Sequence, residues 1–178
     1  MRIISGKYKG RTLIAPKNDA RPTLDRAKET LFNILAPKIP NSVVLDLFAG
    51  SGQLALECLS RGCTRAILCD SSRDAAAAIK SNFEKIHEQP EFYQCDYSAC
   101  LARLNTKVDL VFVDPPYKSG LYLQVLSKLQ QFDVVFPNGI VVCEHDAADA
   151  LPSEAYGFVA YDERKIGSVK FTFYKREQ

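Results

Sequence analysis

The chain has 178 residues, with 23 lysines and arginines against 21 aspartates and glutamates and a hydrophobic fraction of 47%. This length suits a single domain, and no apolar run approaches the ~20 residues that a membrane-spanning helix requires. The six cysteines and two histidines show no metal-ligand spacing and no close-spaced cysteine pair, so we expect reduced thiols, no disulfide framework and no metal.

Positive charge is concentrated at the start of the chain. Residues 1–30 contain eight lysines or arginines and three acids, which gives this segment a net charge of +5 and leaves the remainder at −3. The first predicted element is a short strand pair over residues 2–15, with turns or bulges at Gly6 and Gly10 and with basic side chains at Lys7, Lys9 and Arg11. Such an arm suits a polyanionic partner such as RNA, and a basic hairpin at a sheet edge is the alternative.

A helix is predicted to begin at Pro22 and to end before Pro37, with apolar residues on one face. Arg21, Thr23 and Arg26 lie near its beginning. Polar side chains at a helix start commonly act as caps or solvated groups. Contact with a ligand or with RNA is the alternative interpretation of these three residues.

The first motif is a glycine turn between a strand predicted over 43–47 and a helix predicted over 52–61. It begins with Asp46 and continues, after Leu47, with Phe48, Ala49, Gly50, Ser51 and Gly52. Glycine admits positive φ angles and lets the backbone approach a ligand, and the amides of the following helix start face the same edge of the sheet. The motif therefore predicts a small-molecule cradle.

The same turn also satisfies a second pattern. Gly50-x-Gly52-x-x-Ala55 matches the dinucleotide-binding fingerprint, and Asp70, at the end of the next predicted strand, stands at the right separation to bind a ribose. A nicotinamide-dependent enzyme is therefore an alternative at this point.

The following elements alternate between strand and helix. Strands are predicted near 43–47, 65–70, 91–95, 108–113 and 139–144, and helices near 52–61, 73–86, 97–104 and 119–131. This alternation predicts an α/β fold, a parallel sheet covered by helices on both faces. Apolar and polar residues then alternate over 156–163 and 170–175, around Gly167 and Ser168, which predicts a terminal hairpin.

The second motif is Asp114-Pro115-Pro116-Tyr117, directly after the strand at 108–113. Neither proline can donate a backbone hydrogen bond, and Pro116 holds Pro115 away from helical geometry, so carbonyl groups project without local partners. A planar base can stack on Tyr117 while its exocyclic amino group donates to Asp114 and to a proline carbonyl. The motif therefore favours group transfer to an amino nitrogen.

With this motif after its fourth strand, the chain resembles S-adenosylmethionine-dependent methyltransferases that act on exocyclic amines. It is more closely similar to the RsmD-type small-subunit (16S) ribosomal RNA guanine-N2 methyltransferases, over essentially its whole length. The closer match depends on RIISGKYKGR at residues 2–11, RPT at 21–23, Arg26 and ETLFN at 29–33, besides the two motifs.

The resemblance implies a Rossmann-like, seven-stranded class I S-adenosylmethionine-dependent methyltransferase sheet with a C-terminal antiparallel hairpin. It implies one methyltransferase domain over 1–178, with a hairpin and helix extension at 1–36 and a catalytic core at 43–178. The expected partner is small-subunit ribosomal RNA within an assembling 30S-type particle, and a cytoplasmic monomer is expected.

The resemblance also assigns roles to residues. Asp46 is expected to fix the glycine turn or to receive the ammonium group of S-adenosylmethionine, and Asp96 to face the adenine or to cap a helix. The other expected cofactor contacts are the glycine turn, Asp70, Ser71, Tyr97, Thr23 and Arg26. Catalysis is expected at Asp114, Pro115, Pro116 and Tyr117. RNA binding is expected at Lys7, Lys9, Arg11 and Arg21.

Competing functions differ in what they leave unexplained. An adenine-N6 methyltransferase on DNA or RNA shares the second motif, but 178 residues leave little room for the recognition domain that such enzymes usually need. A non-catalytic RNA-binding ribosome assembly protein has no need of Asp114 and Tyr117, and a dehydrogenase has no use for the second motif. Thermal stabilisation separates these classes: S-adenosylhomocysteine should stabilise a methyltransferase, NADH should stabilise a dehydrogenase, and neither should stabilise a non-catalytic RNA-binding protein.

Overall fold

The computed structural model describes residues 1–17, 25–116 and 118–178. The helices are α1 (Asp25–Leu35), α2 (Gln53–Ser60), α3 (Arg73–Glu84), α4 (Tyr97–Arg103) and α5 (Tyr122–Gln131), and a 3-10 turn spans Ala36–Lys38. The strands are β1 (Val43–Asp46), β2 (Arg65–Cys69), β3 (Glu91–Tyr93), β4 (Val108–Val113), β5 (Val135–Asp146), β6 (Glu154–Ala155), β7 (Phe158–Ile166) and β8 (Val169–Arg176).

The strands form one sheet in the order β3-β2-β1-β4-β5-β8-β7-β6. The first five pair in parallel, and β8, β7 and β6 are antiparallel to their neighbours. The predicted α/β fold with a C-terminal hairpin is thereby confirmed. The sheet has one strand more than the seven expected, because the two residues of β6 pair with the start of β7.

The bounds of several elements differ from the prediction, and the helix α5 and the strand β5 show the main differences. The helix predicted over 119–131 begins only at Tyr122, because Lys118 and Gly120 have φ angles of 55° and 66°, outside the helical region. The strand predicted over 139–144 is longer, because β5 also pairs at Val135 with β4 and at Asp146 with β8. The predicted helix start at Pro22 lies outside the described residues.

Apolar side chains fill both faces of the parallel strands, as expected of a sheet covered by helices on each side. Alternate residues of β1 show this, since Val44 packs in one buried cluster and Leu45 in the other. Residues of α1, α2 and α3 belong to the first cluster, and residues of α4 and α5 belong to the second. The sheet is therefore a rigid support for the loops that leave its carboxyl edge.

Residues 1–17, which we call the N-terminal arm, fold back on themselves. The predicted strand pair is reduced to one antiparallel bridge between Arg2 and Thr12. Beside it, the Ile3 amide donates to the Arg11 carbonyl oxygen and the Gly10 amide donates to the Ile3 carbonyl oxygen. At the turn, Gly6 has a φ of 89°, and a Cβ there would lie 1.9 Å from the carbonyl oxygen of Ser60. Close approach to the end of α2 therefore requires glycine.

A buried carboxylate holds the arm against α2. Glu57 accepts hydrogen bonds from the Ile4 and Ser5 amides at 2.9 and 3.0 Å. Its side chain is fully buried with that of Lys28, whose Nζ lies 3.7 Å away, and it also forms an ion pair with Arg61 at 2.9 Å. Burial lowers the pKa of Lys28, and the Glu57 carboxylate opposes that shift.

A second anchor joins the arm to the glycine turn. The buried Asn82 amide accepts from the Ile14 amide at 2.7 Å and donates to the Ile14 carbonyl at 2.8 Å. It also donates to the Ser51 carbonyl at 2.9 Å. One side chain of α3 therefore fixes two segments that are distant in sequence.

The six cysteines are free thiols, and five of them are buried. Among the described residues, no helix is long and apolar enough to span a membrane.

Candidate active site

A cleft of about 550 Å³ opens at the carboxyl edge of the parallel strands. Its walls come from the segments that follow β1, β2, β3 and β4, namely residues 47–51, 70–72, 95–97 and 114–116. This edge is where open α/β sheets bind ligands. Residues of both sequence motifs therefore line one cavity, although the motifs are more than 60 residues apart. Asp46 and Gly52 of the first motif are not among the lining residues.

The glycine turn is fixed by backbone bonds and by Asp70. The Asp70 carboxylate accepts from the Gly50 amide and from the Ser72 amide, both at 2.9 Å. A Cβ on Gly52 would meet Leu68 at 3.2 Å, whereas one on Gly50 would meet nothing within 4 Å. Gly52 thus serves helix packing, and the backbone at Gly50 leaves open space beside it.

Asp46 lies at the end of β1 and is 1% exposed. Its Oδ1 has no hydrogen-bond partner within the described parts of the chain. Burial, with the neighbouring Asp114 and Asp70 carboxylates, raises the pKa of Asp46 to about 8, and a backbone hydrogen bond at Phe48 opposes the shift. An unsatisfied buried oxygen with a shifted pKa marks a place for a cation or a donor.

The β3 side of the cleft combines a carboxylate with aromatic rings. Asp96 is the N-cap of α4, and its Oδ1 accepts from the Ser98 amide at 2.8 Å. The rings of Phe48 and Tyr97 lie 5.6 Å apart, and burial followed by the Asp96 charge raises the pKa of Tyr97. This wall offers flat apolar surface beside a polar acceptor, which suits a heteroaromatic ring.

Asp114, Pro115 and Pro116 line the opposite wall, after β4. Behind them, the Tyr122 hydroxyl donates to the Glu144 carbonyl oxygen at 2.7 Å, and burial and then the Asp114 charge raise the pKa of Tyr122. Tyr117, the fourth residue of the motif, lies outside the described residues, as do Thr23 and Arg21. The expected roles of these three remain predictions.

The other basic residues are placed away from the cleft. Lys7, Lys9 and Arg11 are exposed, and the Lys7 amide donates to the Ser60 carbonyl oxygen at 2.8 Å. Ser60 ends α2, whose eight residues span about 12 Å from the glycine turn. Arg26 is exposed on α1 and is not part of the cleft lining.

The cleft lining includes several residues that the sequence did not predict, among them Gln53 and Pro16. Gln53, the first residue of α2, has a buried Oε1 without a partner in the described chain. Its place directly after the glycine turn was the available signal. Pro16 lines the cleft from the N-terminal arm, and nothing in the local sequence pointed to it.

Comparisons with known proteins agree over the full length. The family model described as Conserved hypothetical protein 95 matches residues 1–175. Ribosomal RNA small subunit methyltransferase D of Escherichia coli K12 is 34% identical, over 99% of this chain and 90% of the relative. YlbH of Bacillus subtilis is 34% identical over 99% of both chains. The solved structure of yhhF from Escherichia coli superposes with a TM-score of 0.86 at 33% identity, over 99% of this chain and 98% of that chain.

Proposed function

The chain belongs to the Conserved hypothetical protein 95 family, and from this membership and the cleft we propose that it transfers a methyl group from S-adenosylmethionine to the exocyclic N2 amine of a guanosine in small-subunit ribosomal RNA. The RNA class is supported by the name of the Escherichia coli relative. Transfer to an amine is supported by the Asp114-Pro115-Pro116 wall.

One observation carries the proposal. The buried Oδ1 of Asp46 has no hydrogen-bond partner in the part of the chain that the structure describes, and the charge of the neighbouring Asp114 contributes to the raised pKa of Asp46. A cleft with a site for a cation beside an acceptor for an amino group can hold a cationic methyl donor and an amine together. Neither feature alone has that consequence.

The residues present fit S-adenosylmethionine. The Asp46 oxygen would receive its ammonium group, the Asp70 carboxylate has lone pairs left for ribose hydroxyls, and the ring pair of Phe48 and Tyr97 would pack against its adenine beside Asp96. The bound cofactor would supply an electrophilic methyl group on a sulfonium. The dinucleotide alternative leaves the Asp46 oxygen without a partner.

Asp114 and the Pro115 carbonyl act on the acceptor. Hydrogen bonds from the two amino protons of guanine to these oxygens would fix the nitrogen in line with the methyl group and raise its electron density. Because alignment is the principal requirement of such a transfer, rigid placement of these acceptors at the end of β4 accounts for most of the expected rate. Asp114 is also positioned to accept the proton that the amine loses after transfer.

The product identifies the reaction. The protein is incubated with tritium-labelled S-adenosylmethionine and small ribosomal subunits that lack the modification, and the RNA is digested to nucleosides. We expect label in N2-methylguanosine. Label in N6-methyladenosine would assign the activity to adenine instead, and absence of label from every nucleoside would contradict the proposal.

Cofactor affinity is expected to depend on the protonation of Asp46. The ammonium group of the ligand favours the charged carboxylate, whose fraction rises from about 1% at pH 6 to about 50% at pH 8 when the pKa is about 8. We therefore expect affinity for S-adenosylhomocysteine to increase up to about 50-fold over this interval and to level off above it. Isothermal titration calorimetry at a series of pH values measures the dependence.

The Asp46→Asn variant is the control, because its amide does not titrate. Its affinity should be low and nearly constant over the same interval, and an equal pH slope in both proteins would exclude Asp46 as the origin of the pH dependence.

Without ligand, Asp46 makes the folded state less stable as pH rises from about 4 to about 8, because folded Asp46 keeps a proton that the unfolded chain releases.

A further inference from the structure

Two lysines face each other on the C-terminal hairpin. Lys165 of β7 and Lys170 of β8 are directly opposed in the antiparallel register, and Lys170 is in turn opposite His145 of β5. Opposed residues of neighbouring strands project from the same face of the sheet. The three residues therefore form one row across β5, β8 and β7.

Like charges directly opposite each other destabilise a strand pair, and little compensates here. Lys170, whose side chain is 20% exposed, forms an ion pair with Glu163 at 4.0 Å, the outer limit of such a contact. Lys165 is exposed and forms no salt bridge within the described ranges of the chain. The adjacent Arg164 does not contribute to the row, since it pairs with Asp162 at 3.0 Å.

The row adjoins the acceptor side of the cleft. Asp114 influences the Tyr122 hydroxyl, the Tyr122 ring packs edge-on against His145 at 5.9 Å, and His145 is opposite Lys170. The hairpin turn lies beside the end of β5, at the carboxyl edge where the cleft opens. Lys170 and Lys165 are thus about one and two strand spacings, ~5 and ~10 Å, beyond His145.

We propose that Lys165 and Lys170 bind phosphates of the RNA strand that carries the target nucleotide into the cleft. The inference rests on the proposed function, because it identifies the surface on which that substrate lies. Two opposed ammonium groups beside the acceptor wall, of which only that of Lys170 has an acidic partner and that one at 4.0 Å, complement a polyanion. The N-terminal arm, whose turn is bound at the far end of α2, leaves this side of the cleft to the hairpin.

Filter binding of a transcribed small-subunit ribosomal RNA tests the proposal. We expect the double variant Lys165→Gln/Lys170→Gln to raise the Kd about tenfold at low salt and to lower the slope of log K against log salt by roughly 1.5 to 2. KM for RNA should rise with kcat nearly unchanged, and affinity for S-adenosylhomocysteine should stay the same.

The control is Lys80→Gln/Lys175→Gln, which removes the same charge. Lys175 is at the other end of β8, and Lys80 is exposed on α3. The melting temperature tests whether the two lysines have a structural role instead. Because Lys165→Gln/Lys170→Gln loses a like-charge pair, its melting temperature should equal that of the wild-type protein or exceed it. Equal weakening of RNA binding by both double variants, or no weakening by either, overturns the proposal.

The same measurements separate this inference from the proposed function. If wild-type protein methylates the RNA while Lys165→Gln/Lys170→Gln binds normally, only this inference fails. If wild-type protein neither binds nor methylates the RNA, the proposed function fails as well.

Discussion

Replacement of Asp114 by alanine is expected to lower kcat for RNA methylation by about 100- to 1000-fold. The loss has two causes, since the variant lacks both the acceptor that orients the amine and the group that can take its proton. Above the pKa of Asp46, where that carboxylate is charged with or without Asp114, affinity for S-adenosylhomocysteine should change by less than about threefold, because the cofactor contacts come from other strands. Single-turnover rates with saturating RNA, together with calorimetric titration of the cofactor product, measure the two quantities.

Two further variants make this prediction specific. Asp149→Ala removes an exposed carboxylate from the same side of the protein and should retain wild-type turnover. Asp114→Asn keeps an oxygen acceptor but cannot take a proton, so substantial activity in it would assign Asp114 to positioning alone. Wild-type turnover in Asp114→Ala would exclude Asp114 from catalysis.

Replacement of Glu57 by alanine is expected to lower the free energy of unfolding by about 3–5 kcal/mol. The carboxylate is fully buried, so its removal leaves the equally buried Lys28 ammonium without its counterion. It also leaves the Ile4 and Ser5 amides without their acceptor. Urea denaturation gives the free energy, and hydrogen exchange at residues 1–17 should report loosening of the N-terminal arm.

A double-mutant cycle isolates the charge pair. If the cost arises from an uncompensated buried charge, Glu57→Ala/Lys28→Met should be more stable than Glu57→Ala alone. Glu84→Ala, which removes an exposed helical carboxylate, is the matched control and should change stability by less than about 0.5 kcal/mol. Additive effects of the two buried substitutions would contradict the coupling.

Features set by short stretches of sequence were predictable. Alternating apolar runs indicated the parallel sheet, and the glycine and proline motifs located the carboxyl edge at Asp46 and Asp114. The N-cap role of Asp96 followed from its position before a helix. In each case the physical cause, strand burial or backbone geometry, operates within a few residues.

Features that depend on distant partners were not predictable from local pattern. No motif in the sequence marks Glu57, and its role becomes visible only when Ile4, 53 residues earlier, contacts it. Asn82 likewise joins Ile14 to Ser51 across the fold. The opposed lysines of the hairpin follow from a strand register that a bulge between Ala160 and Asp162 shifts, and no composition or periodicity carries that information.

The strand order also bears on how copies of this protein behave at high concentration. Of the longest strands, β5 lies between β4 and β8, and β8 lies between β5 and β7, while β7 pairs with the two-residue β6 only at Phe158 and Val159. The other outermost strand, β3, has three residues. Unpaired amides and carbonyls at a sheet edge are a template for aggregation, and very short outer strands limit it. At the β3 side, an ion pair between Arg65 and Glu91 adds charge to the same border. The part of β7 that β6 leaves uncovered carries Asp162, Glu163, Arg164 and Lys165, and such charges on an edge strand discourage separate molecules from joining into extended sheets.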